Sequence, residues 1–475
     1  MNINPLFSID FYKTGHIEQY PEGTTLIYSN FTPRSNTYSN LPDHDNSIVF
    51  FGLQFFIKDF LINCWNENFF KRDKEDVVTE YKNLMNTALD KEMRTDHIEA
   101  LHDLGYLPLC IYAMPEGASV KIGVPCLILY NTHPDFYWLT NYIETALSCY
   151  LWKPCVSATT ARWYLNLFEK YAEITGVDKG VCQFMGHDFS CRGMSNLQDA
   201  ALSGAGHLLS FKGTDTVLSI KLLQDYYNAT GYIGGSIPAT EHSVMCMYGQ
   251  ENEFQTFEHL LDVYDNHIFS IVSDTWDFWQ VITEFLPRLK DKIKKRIHKL
   301  IIRPDSGDPV KIICGDPEAP FYSPQYRGVL ECLWDTFGGF INDKGFKELV
   351  HVGVIYGDSI TPERASTILH LMVKKGFVCS NVCFGIGSYT YQYVTRDTYG
   401  FAVKSTYGVV NGEPRDIFKN PKTDTGFKKS AKGLIKVIDG ECVPADSVDD
   451  CGDMVQVFLD GKIMKDFSFN DVRRS

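Results

Sequence analysis

No two cysteines in this 475-residue chain are spaced Cys-x-x-Cys, although it carries 14 of them. The closest pair, Cys379 and Cys383, offers neither a zinc ribbon nor a paired redox thiol. No secretory apolar segment opens the sequence, and no run approaches the roughly 18 apolar residues of a membrane span. The expectation is a cytoplasmic protein with scattered, reduced core thiols and no membrane partner. Positive charge is also scarce. The formal net charge is -14 and the isoelectric point is near 5.4. A general nucleic-acid binder needs a basic face for counterion release, so that class is excluded; a local basic pocket for a phosphorylated small molecule is not. Internal repeats, low-complexity tracts and long flexible linkers are missing too.

What is present is an ordinary globular composition, 44% apolar and 22% charged, in a chain long enough for two or more domains. The pattern divides it into three stretches. Residues 1–155 mix aromatic-rich strands with helices, such as the helical pattern at Asp76–Met93 and the apolar strand Val124–Tyr130. Residues 156–398 alternate strand-like and helix-like segments. Residues 399–475 carry three two-residue turn signals between β-prone flanks: Asn411-Gly412, Asp439-Gly440 and Asp460-Gly461. Such pairs suit type I′ hairpins, because both central residues need positive φ. The fold class expected is α/β, an irregular (β/α) barrel. Beside it stands a second, β-rich α+β domain built from the N- and C-terminal segments.

The middle stretch is the informative one. Strands are expected near Val181–Met185, His207–Phe211, Ser236–Ala239, Phe269–Val272, Leu300–Ile302, Val352–Ile355 and Val382–Phe384. Each ends in a polar cluster and leads into a helix-like segment. One unit is unusually clear. Thr361 suits an N-cap, Pro362 a first helical turn and Gly376 a C-terminal cap. A β/α barrel gathers its active site at the carboxyl ends of its strands, so these clusters form one site spread along the sequence.

Their chemistry is mixed. Arg192 and Arg396 suit bidentate contacts to phosphate oxygens. The turn Gly385-Ile386-Gly387-Ser388 either presents backbone N–H groups to an anion or is simply a tight turn. Lys404, Lys419, Lys428 and Lys429 add positive charge beyond the barrel. Asp215, Asp274, Asp277, Asp305 and Asp358 fall at or just after strand ends. Carboxylates beside such arginines suit sugar hydroxyls and a Mg²⁺ bridging a pyrophosphate. For Asp274 and Asp358 an N-cap is the competing role. His242 follows Glu241 at a strand end, either a structural hydrogen-bonder or a catalyst. Phe189 is either a core plug or a stacking platform, and the pattern by itself favours the plug.

Over essentially its whole length the chain resembles the nicotinamide phosphoribosyltransferase family. The matching segments are Asp10–Pro21, Tyr137–Glu144, His187–Gly193, Phe211–Thr216, Pro238–Ser243, Val272–Asp277, Ile301–Gly307 and Phe384–Gly387, followed by Thr395-Arg396-Asp397. The resemblance implies a homodimeric type II phosphoribosyltransferase with active sites at the subunit interface. Such an enzyme joins nicotinamide to phosphoribosyl pyrophosphate, assisted by Mg²⁺ and coupled to ATP through a phosphohistidine. It places Phe189 on one face of the pyridine ring and a partner's Tyr12 on the other, against the plug reading. Asp215 would accept from the carboxamide, and Arg303 would lie near the ring. Asp305, Gly357 and Asp358 would hold the ribose. Arg192, Gly387 and Ser388 would bind the 5′-phosphate, with Arg396, Lys404, Lys419 and Lys428 contributing phosphate or ATP contacts across the dimer. Asp277 would help position phosphoribosyl pyrophosphate, and His242 would carry the phosphoryl group.

The chain departs from the family at Ser190-Cys191, where Gly-Tyr is commoner, at Ser388, where a glycine is expected, and at Phe11, where a small residue is expected. The nearest rival is nicotinate phosphoribosyltransferase. A carboxylate at Asp215 favours an amide and repels a carboxylate in a partly desolvated pocket. A glycosidase using two aspartates has no need of the basic cluster. A non-catalytic protein keeping the fold would have no need of Asp215, His242, Arg303 and Asp305, all of which are present.

Overall fold

The computed structural model describes residues 3–357, 359–418 and 431–474. Two sheets organise it. The first has seven strands in the order Glu413–Asp416, Ala402–Val410, Thr24–Thr32, Leu127–Asn131, Leu109–Ala113, Val455–Leu459 and Lys462–Ile463. Its pairings are antiparallel, and strands from the two ends of the sequence interleave. All three turn signals make hairpins. Asn411, Asp439 and Asp460 sit at φ 52°, 51° and 47°, each followed by a glycine of positive φ.

The second sheet is parallel, in the order Gly213–Thr214, Gly186–Asp188, Val382–Ile386, Val352–Tyr356, Leu300–Arg303 and Phe269–Val272. Its two edges are linked by the segment 235–239. Gly235 bridges to Gly213 and Ala239 bridges to Ser270, both parallel. The sheet thus curls around as an irregular barrel with one seam made of single bridges.

Three expected strands differ from the structure. Lys179–Phe184 is a 3₁₀ helix, and the strand begins at Gly186. His207–Phe211 closes the helix Leu197–His207, with the strand following at Gly213. Ser236–Ala239 is the bridged seam. His207–Phe211 is short and buried throughout, and a buried strand and a buried helix end look alike in such a run. The unit at 352–386 matches its signals. Thr361 accepts from Arg364 N, the helix spans Pro362–Lys374, and Gly376 follows at φ +73°.

The 32-residue helix Glu144–Thr175 joins the two sheets. At 1.5 Å per residue it is about 48 Å long. Its Leu147, Leu151 and Val156 pack in the core of the antiparallel sheet. Its Tyr164, Phe168 and Ala172 pack in the barrel core. The division drawn at 155/156 from the sequence falls inside this continuous helix, and Pro154 is tolerated there where Gly52 passes closely. All 14 cysteines are unpaired, and among the described residues no helix is long and apolar enough to cross a membrane.

Two buried imidazoles make the fold acid-sensitive. His97 packs edge-on against Trp138, and His207 lies fully buried between Tyr391 Oη (2.7 Å) and Gly213 O (2.9 Å). Burial pushes both down to about 4, against the opposing pull of Asp96 and Asp188 respectively. The unfolded chain therefore takes up protons from about pH 6.5 downward that the folded chain refuses. Their contribution to stability is full above that value and falls toward pH 4, by roughly 1–3 kcal/mol per imidazole. The urea midpoint is expected to drop between about pH 7 and pH 4.5, and replacing His97 with glutamine to reduce that drop.

Candidate active site

The carboxyl ends of the parallel strands place the expected side chains around one opening. Phe189 follows the strand Gly186–Asp188, and its N–H donates to Ile386 O at 3.0 Å. Its ring lies against the backbone of Gly385. A Cβ at that position would stand 2.6 Å from both Phe189 Cδ2 and Tyr356 O, so only glycine admits the ring. The Arg303 guanidinium lies 5.2 Å over the same ring and donates to Asp305 Oδ2 at 3.1 Å. Gly357 approaches the same pair, because a Cβ there would meet Asp305 Oδ1 at 2.4 Å.

Asp215 lies half-open at the rim, its side chain 43% exposed. Its Oδ1 is 2.8 Å from His187 Nε2, and Ser236 Oγ lies 3.5 Å from the same nitrogen. Burial would raise the Asp215 carboxyl. Hydrogen bonds from His187 and Ser236, with the charges of His187 and Arg303, outweigh it and hold the group below its ordinary value. His187 and Ser236 had no assigned role in the sequence. Their signal was only their place in two polar clusters, and their meeting depends on the seam.

His242 opens the helix His242–Met247 and is about half-exposed. Its Nδ1 lies 3.3 Å from Thr275 Oγ1. Its Nε2 lies 3.8 Å from Asp274 Oδ1 and 3.9 Å from Asp305 Oδ2, ion-pair rather than hydrogen-bond distances. The carboxylates beside it are thus Asp274 and Asp305. Asp277 caps the next helix, accepting from Trp279 N and Gln280 N at 3.0 Å. Asp274 is no cap. Its Oδ2 accepts from Asp305 N and Ser306 Oγ, while its buried Oδ1 has no hydrogen-bond partner.

Two touching turns stand where the resemblance expects the 5′-phosphate. Arg192 is exposed in the turn Cys191–Gly193, and Ser388 Oγ would lie 2.1 Å from a Cβ on Gly193. Gly387, N-terminal to the short helix Ser388–Tyr391, has open space around its Cα. The family departure at Ser190 turns away from the opening. Ser190 is fully buried, and its N–H and hydroxyl both donate to Asp188 Oδ1, at 2.9 and 2.6 Å. Arg396 is exposed and pairs with Asp397 at 3.1 Å, and Lys404 is exposed on its strand. Tyr12 is 59% exposed. Its ring meets His16 and Lys13, and among the described residues it has no ring contact with Phe189. Asp358, Lys419 and Lys428 lie outside the described residues.

Among the described residues no group of three or more His, Cys, Asp or Glu side chains converges on a metal position. The orphaned Asp274 Oδ1 and the Asp305 carboxylate instead fit a Mg²⁺ that arrives on a pyrophosphate. Phe189, Arg303, Asp274 and Asp305 thus meet at the barrel strand ends, with Asp215 on the rim, an arrangement that suits the phosphoribosyltransferase class. The chain belongs to the nicotinate phosphoribosyltransferase family, whose model matches residues 184–461. Residues 4–111 match the model of the nicotinamide phosphoribosyltransferase N-terminal domain. A nicotinamide phosphoribosyltransferase of Acinetobacter baylyi is 56% identical over 445 residues, covering 92% of this chain and 88% of the relative. One from Mycoplasma pneumoniae is 34% identical, covering 89% and 93%. Among solved structures, a Pyrococcus furiosus nicotinate-nucleotide pyrophosphorylase shares the fold at a TM-score of 0.57 and 15% identity, covering 99% and 94%. Human nicotinic acid phosphoribosyltransferase does so at 0.54 and 14%, covering 98% and 92%.

Proposed function

We propose that this chain joins nicotinamide to the ribose C1 of phosphoribosyl pyrophosphate, giving nicotinamide mononucleotide and pyrophosphate. The observation that carries this reading is Asp215, a carboxylate kept ionised beside the stacking ring. An ionised acceptor attracts the NH₂ of a carboxamide and repels a nicotinate carboxylate. The ring nitrogen's lone pair forms the new C–N bond as the C1–O bond breaks, and pyrophosphate leaves with that bond's electrons. Positive charge gathers at C1, where Asp305 favours it, while Arg303 favours the leaving group and a Mg²⁺ carried on the pyrophosphate would add charge compensation there. Phe189 orients the weak nucleophile.

Tyr12, exposed and away from Phe189 in one chain, fits a homodimer in which a second copy supplies the other stacking ring. His242, exposed between Asp274 and Asp305, fits a histidine that attacks the γ-phosphorus of ATP and releases ADP. The test offers purified protein Mg²⁺, phosphoribosyl pyrophosphate and each base in parallel, with and without ATP. Nicotinamide mononucleotide is expected as the dominant product, with ADP formed in step. Preference for nicotinate would overturn the Asp215 reading. An ATP-indifferent rate with no phosphohistidine would overturn the role of His242.

A further inference from the structure

The last described helix, Phe469–Arg474, is docked against the barrel. Phe469 and Val472 are buried in a small core with Ala158, Leu208, Leu223, Tyr227 and Ile233. Phe469 N–H donates to Tyr227 O at 2.7 Å. This packing aims Arg473 inward. Its Nε donates to Leu208 O at 2.9 Å, and its Nη2 to Phe211 O at 2.8 Å and Ile233 O at 3.0 Å. The guanidinium also covers the Phe469 ring at 4.9 Å. One side chain thus holds three backbone carbonyls in two segments remote in sequence.

Those two segments carry the groups around His187. Leu208–Phe211 runs through Lys212 into Gly213-Thr214-Asp215, and Ile233 runs through two glycines into Ser236. They also meet each other directly: Gly235 N–H donates to Lys212 O at 2.9 Å and Thr214 N–H to Gly235 O at 3.0 Å. This is the seam where the parallel sheet has single bridges in place of a ladder. A planar fork with several donors suits such a junction, and a lysine would reach fewer of the carbonyls.

We propose that Arg473 is a positioning residue for base recognition. It fixes the spacing of Asp215 and Ser236 across the seam, and so the discrimination between an amide and a carboxylate on the pyridine ring. This rests on the reading of Asp215 as the acceptor for the base. Arg473 touches no substrate; it acts through the two backbone segments. A displacement on the order of 1 Å at a recognition group can cost up to about a hundredfold in rate.

The test uses Arg473→Met and Arg473→Lys in the full chain. Arg473→Met is expected to speed amide hydrogen exchange in residues 212–216 and 233–237 while leaving the other barrel strands unchanged. The nicotinamide KM is expected to rise about tenfold, with the phosphoribosyl pyrophosphate KM within about twofold. The nicotinamide-to-nicotinate ratio of kcat/KM is expected to fall about tenfold, and Arg473→Lys to lie between. Unchanged exchange and selectivity would overturn the proposal. So would a parallel rise of both KM values with a general loss of stability, the mark of a merely structural role. Should Arg473→Met fail to fold, Arg473→Lys decides by the same ratio. An Asp215→Ser protein with undiminished selectivity would strike the reading of Asp215 instead, and the exchange measurement would still report whether Arg473 holds the seam.

Discussion

Arg303→Met is expected to lower kcat/KM for both substrates by about a thousandfold. Arg303 is largely buried, and it lies over Phe189 and against Asp305. Its charge also helps hold Asp215 in the ionised form. Its Nε is buried without a hydrogen-bond partner. Methionine keeps the apolar stem and removes the charge. Asp215, Asp274 and Asp305 then face an incoming pyrophosphate with less compensation, and like charge repels it. A second consequence has a definite sign. Without the guanidinium the Asp215 carboxyl rises, so its neutral form appears at higher pH. The acid limb of nicotinamide selectivity should therefore move upward in pH in the variant. A loss below about tenfold, or an unmoved acid limb, would show that Arg303 only packs the ring.

Asp215→Ser is expected to cost about a hundredfold in kcat/KM for nicotinamide and to leave nicotinate use the same or better. A charge-assisted acceptor is lost in one case, and like-charge repulsion is relieved in the other. In the unaltered protein Asp215 is held below its ordinary value of 3.8. It is fully ionised from about pH 5 upward, so the ratio of the two bases should be flat from there to about pH 8. Parallel progress curves for the two bases across that range check both statements. A ratio that changes across it, or one that survives the substitution, would take base recognition away from Asp215.

Legibility in the sequence followed the range of the forces involved. The helix Pro362–Lys374 was readable because Thr361, Pro362 and Gly376 act on their own neighbours. The three hairpins were readable because positive φ is demanded of the turn residues themselves. His207–Phe211 reads as a strand but ends a helix, because burial makes a helix end as apolar as a strand. Asp274 and Asp277 sit three residues apart at the end of one strand, and nothing local separates them. Burial and the Asp305 N–H fix one beside His242, while the start of a helix takes the other as its cap.

By itself the sequence determined the α/β class, the run of polar clusters after parallel strands and the family. Each is carried by local chemistry or by ordered motifs. Only the tertiary structure decided which clusters meet. It pairs Asp215 with His187 across a seam, turns Ser190 inward onto Asp188, fits Phe189 over Gly385 and brings Arg473 across more than two hundred residues onto Phe211 and Ile233. These are long-range contacts. Curling the sheet sets their geometry, and no periodicity or spacing along the chain encodes where a curled sheet brings its edges together.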